Sequence, residues 1–67
     1  MTIYCAAFST RTQAMRFFDF CRTAGLGAKI YGAGCELSVG VTEGDYAKAD
    51  EILGRCNFWS FLGWRVK

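Results

Sequence analysis

The chain is patterned in short alternating stretches separated by two runs of helical spacing. Residues 2–8, TIYCAAF, alternate and carry β-branched and aromatic side chains, which predicts a first strand. From Thr10 to Ala24, Ala14, Phe17, Phe18, Cys21 and Ala24 recur every three or four residues. That spacing predicts a helix with one apolar stripe, stopped by Gly25 and Gly27. Thr10 with Gln13 fits a capping box at its start. Residues 28–31, AKIY, form a second strand, Gly32-Ala33-Gly34 a turn, and residues 35–41 a third strand with Leu37, Val39 and Val41 on one face.

Thr42 and Asp45 predict a second helix start, with Glu43 and Asp45 suited to the positive end of its dipole. Tyr46, Ala49, Ile52, Leu53 and Cys56 make its apolar side, as far as about Arg55. A last strand, around Phe61 to Val66, is expected to align Leu62, Trp64 and Val66. The order β-α-β-β-α-β, with a right-handed crossover, predicts an α+β ferredoxin-like sandwich: four antiparallel strands with two helices on one face. It forms a single domain over residues 1–67, since no proline-rich or low-complexity linker interrupts it. The uncovered face is expected to carry Tyr4, Ala6, Phe8, Tyr31, Ser38, Gly40 and Phe61, and its aromatics suggest an interface, most simply a homodimer. The cluster NFWSFLGW, centred on Trp59, is expected to supply core and seam.

Composition narrows the chemistry. Hydrophobic residues make up 52% of the 67, enough for a core in a chain this short. The net charge of +2 is spread evenly, which argues against a nucleic-acid footprint. RNA stacking on sheet aromatics, as in RRM domains, is disfavoured because CELSVGV lacks their aromatic and basic pattern and Glu36 repels phosphate. The N-terminal MTIYCAAFSTR has neither the charged start nor the apolar run of a signal peptide, and no stretch suits a membrane span; a soluble cytoplasmic protein is expected. Histidine is absent, which removes hydroxyl–histidine and cysteine–histidine catalysis. The glycine turn has neither the length nor the lysine of a phosphate-binding loop.

Four cysteines stand 16, 14 and 21 residues apart, without the close pairs of a zinc site, and no metal or cofactor is expected. Cys5 and Cys21 share the spacing of core positions. Cys35 stands at the predicted hairpin, after Gly32 and Gly34 and beside Glu36. The topology brings that hairpin to the sheet end where the first helix begins, so Ser9, Thr10 and Arg11 are candidates to stabilise a thiolate there. Cys56, at the end of the second helix, is expected near the same edge as a resolving thiol. The same parity also allows Cys35 to be the last rung of the core.

The Phe8-Ser9-Thr10 step, the helix with Ala14 and Cys21, the Gly-Cys-x-Leu hairpin and the terminal Gly63-Trp64-Arg65-Val66 resemble the selenium/sulfur carrier protein-like family, over nearly the whole chain. These are small bacterial domains, found alone or behind a sulfurtransferase-like carrier domain in selenium metabolism. The resemblance implies a carrier rather than a classical enzyme. Cys35 would hold sulfur or selenium as persulfide or selenosulfide, passing it from a donor protein to an acceptor. The chain departs from the family in having Glu36 after Cys35 where the family has glycine, and in a shorter segment before it. The competing expectation is a non-catalytic, homo-oligomeric binding or scaffold module using the open sheet face.

Overall fold

The computed structural model describes residues 2–33 and 36–66, and only the backbone of Ala33 and Glu36. Its elements run β1 (Ile3–Phe8), α1 (Arg11–Thr23), β2 (Lys29–Ala33), β3 (Glu36–Thr42), α2 (Glu43–Arg55) and β4 (Phe61–Val66). The strands form one antiparallel sheet in the order β2-β3-β1-β4, the ferredoxin-like arrangement that the alternation of elements predicts. Among the described residues no helix is long and apolar enough to cross a membrane.

Local chemistry explains the element ends. α1 closes in a Schellman motif: the Gly25 N–H donates to the Arg22 carbonyl and the Leu26 N–H to the Cys21 carbonyl, both near 3 Å. Gly25 takes φ +84°, a conformation that favours glycine, and Leu26 is thereby turned into the core. α2 begins on Thr42, whose hydroxyl donates to Asp45 Oδ2 at 3.4 Å. The same carboxylate oxygen accepts the Gly27 N–H at 3.2 Å and so ties the α1–β2 connection to the start of α2.

The core lies between the helices and one face of the sheet. Phe8 and Phe17 are fully buried, with ring centroids 5.5 Å apart, and Phe58 packs edge-on against both. Val39, Val41, Ala14, Cys21 and Ala49 complete this layer. Trp64 stands edge-on to Phe17 and Tyr46, and its indole N–H donates to Asp50 Oδ1 at 3.2 Å.

Four sequence expectations change. Pairing of Tyr4 with Val41, Ala6 with Val39 and Phe8 with Leu37 places all three β1 residues on the helix-covered face, because directly paired residues share a face. Tyr4 stacks on Tyr46 of α2 at 4.3 Å, and Phe61 packs on Phe8 and Trp64. The open face therefore lacks three of the four aromatics expected to form an interface there. Secondly, the β2–β3 ladder runs on through Gly32↔Leu37 to Ala33↔Glu36, so Gly32 and Ala33 are strand residues rather than turn. Thirdly, β4 slips register opposite Ala7 and Phe8, next to Gly63 at φ +132°. This bulge turns Phe61 inward and leaves Leu62 exposed, while Trp64 and Val66, opposite Ala6 and Tyr4, share one face as expected. Lastly, Trp59 is 70% exposed, and its neighbour Phe58 takes the core position.

Candidate functional site

Thiol chemistry depends on access and on the ease of ionisation, and two of the cysteines lack the first. Cys21 is fully buried on the inner stripe of α1, and burial, with the nearby Asp45 carboxylate adding to it, raises its thiol from 9.0 to about 11. Cys5 is 3% exposed, held on the opposite face of β1. Cys5, Cys21 and Cys56 are free thiols, and among the described residues no three potential ligands cluster as a metal site would require.

The raised Cys21 thiol makes stability depend on alkaline pH. Below about pH 9 the thiol is protonated in both folded and unfolded chains and stability is unaffected. Between about 9 and about 11 the unfolded chain ionises while the folded one does not, so stability falls, by up to about 3 kcal/mol. Urea unfolding on either side of that window, in the native chain and in Cys21→Ala, measures it. The native chain should lose more stability than the variant, and equal losses would show that Cys21 is not the group responsible.

Cys56 is half-buried at the C-terminal cap of α2, where its N–H donates to the Ile52 carbonyl at 3.2 Å. It lines a groove between the helices with Phe20, Thr23, Ala24, Ile52 and Arg55. In this groove the α1 residues beside it, Phe20 and Thr23, belong to the C-terminal half of that helix.

At the sheet end where α1 begins, Ser9 and Thr10 face the chain entering β4. The Ser9 N–H donates to the Ser60 carbonyl at 3.0 Å, and the Thr10 and Ser60 hydroxyls share a hydrogen bond of 3.0 Å. This long-range partner replaces the predicted capping box: Thr10 makes no side-chain bond to the helix backbone. Gln13 is buried with its Oε1 unpartnered. Arg11 is exposed, and no acidic residue stands in the first turn of α1. The first-turn amides and the guanidinium therefore make this end of the helix electropositive.

Phe8 pairs with Leu37, so the Ala33↔Glu36 end of the β2–β3 ladder lies at this same end of the sheet. The expected thiol Cys35, with Gly34 before it, lies outside the described residues, as does the side chain of Glu36. The convergence of Cys35 with Ser9, Thr10 and Arg11, and any pairing with Cys56, therefore remain expectations from the sequence. Sequence reasoning missed Ser60, which is 4% exposed and anchors the start of α1. A serine within an aromatic run carries no local signal that it will meet Thr10 fifty residues away. No family model matches the chain, and no curated protein or solved structure is significantly similar to it.

Proposed function

We propose that the protein is a sulfur or selenium carrier in which Cys35 holds the cargo between a donor and an acceptor protein. The observation that supports this most is the burial of two of the other thiols. Cys5 and Cys21 are buried, and Cys21 is difficult to ionise. Support also comes from the electropositive helix start, which stands at the same sheet end as the Ala33↔Glu36 pair.

Loading is a thiol exchange. The Cys35 thiolate attacks the terminal sulfur of a donor persulfide, a sulfur–sulfur bond forms at Cys35, and the donor cysteine leaves as a thiolate. No net oxidation takes place. Arg11 and the first-turn amides of α1 favour the thiolate, and the acceptor removes the terminal sulfur by the same step in reverse. The test is to incubate the chain with inorganic polysulfide, or with a cysteine desulfurase and cysteine, and read each cysteine by mass spectrometry. The expected result is one added sulfur on Cys35, and sulfur found instead on Cys56 would overturn the assignment.

A further inference from the structure

We infer that a second copy of the chain docks on the outward face of α1, the two helices packing antiparallel about a two-fold axis level with the Phe17–Phe18 step. This inference does not rest on the reading of Cys35. α1 carries two stripes. Ala14, Phe17 and Cys21 are buried against the sheet side, whereas Thr12, Met15, Arg16, Asp19, Phe20 and Thr23 are all exposed. The exposed set has the three- and four-residue spacing of a face that packs on another helix. Met15 and Phe20 each stand 40% exposed, although one edge of the Phe20 ring touches Phe58.

The charges on this face say what covers it. Counted outwards from the Phe17–Phe18 step, Arg16 mirrors Asp19, Met15 mirrors Phe20 and Thr12 mirrors Thr23. An antiparallel second copy therefore sets Arg16 against the partner's Asp19, and Asp19 against the partner's Arg16, as a two-fold axis requires. The same register sets Met15 against the partner's Phe20 at both ends of the contact. A parallel copy would instead set like charges together. Within one chain these charges are unspent: among the described residues neither Arg16 nor Asp19 makes an ion pair or a hydrogen bond through its side chain.

Shape agrees with charge. Arg16, Asp19, Phe20 and Thr23 line a depression of about 270 Å³, and the antiparallel register brings the partner's Met15 to it. Methionine is unbranched, fills irregular gaps and makes favourable contacts between sulfur and an aromatic ring. One helix pair buries less than the roughly 1,200–2,000 Å² of a stable interface. The dimer is therefore a weak one, populated at high protein concentration.

The test is sedimentation of the whole chain from about 10 µM to about 1 mM, with ¹⁵N amide shifts followed over the same range. The native chain should pass from monomer towards dimer, with concentration-dependent shifts centred on Met15, Arg16, Asp19 and Phe20, and added salt should weaken the association. Arg16→Asp and Asp19→Arg, both at exposed positions, should each weaken it about tenfold or more, because like charges then meet twice across the axis. Mixed in equal amounts, the two variants should regain it, since every facing pair is again opposite in sign. A native chain that stays monomeric to about 1 mM, shifts centred on β4 or on the open sheet face, single variants that associate as well as the native chain, or a mixture that stays monomeric would each overturn the inference.

Discussion

Cys35→Ser should abolish persulfide loading, whereas Cys5→Ala and Cys21→Ala should leave it intact. The asymmetry follows from where the described thiols lie. Cargo transfer needs a sulfur that a donor protein can reach and that ionises near neutral pH. Cys5 is held at 3% exposure on the face away from the helices, and Cys21 is fully buried in the core with its thiol pushed up to about 11. Serine keeps the size of cysteine and removes only the nucleophile, so Cys35→Ser should retain the native fold while the added-sulfur species disappears from the mass spectrum. Loading that persists in Cys35→Ser would end the carrier reading for this residue.

Phe17→Ala should leave the chain unfolded at 25 °C. Phe17 is fully buried and stands 5.5 Å from both Phe8 and Phe58 and 6.4 Å from Trp64, so it joins α1 to β1, β4 and the chain leading into β4. Truncating such a ring costs about 3–5 kcal/mol. A single core in a chain this short rarely supplies more than about 3–5 kcal/mol of net stability. The loss therefore matches the whole margin. Phe20, on the same helix but 40% exposed, is the control, and Phe20→Ala should keep a cooperative urea transition and a dispersed amide spectrum. A folded Phe17→Ala with an unchanged midpoint would contradict the assigned core.

The order and type of the elements were legible because Leu37, Val39 and Val41 alternate cleanly with small or polar residues, and Ala14, Phe17 and Cys21 hold a helical spacing. The face of β1 was not. In TIYCAAF both parities are apolar, so alternation alone does not say which set meets the helices. The structure resolves this through size: Tyr4 and Phe8 fill the helix side, while Cys5 and Ala7 suit the shallow side beneath Tyr31. The β4 bulge reversed Leu62 for a related reason, since one extra residue changes the parity of everything on one side of it. At the candidate site, Ser9, Thr10 and Arg11 were recognisable from the helix start. The partner of Thr10 was not, because Ser60 arrives from the other end of the chain.

The most direct measurement is the rate of alkylation at each cysteine of the native protein as a function of pH, resolved by mass spectrometry. The account predicts that Cys35 reacts far ahead of Cys5 and Cys21, with an apparent pKa below the ordinary thiol range of about 8–9. A Cys35 as slow as those two buried thiols across the same range would contradict it.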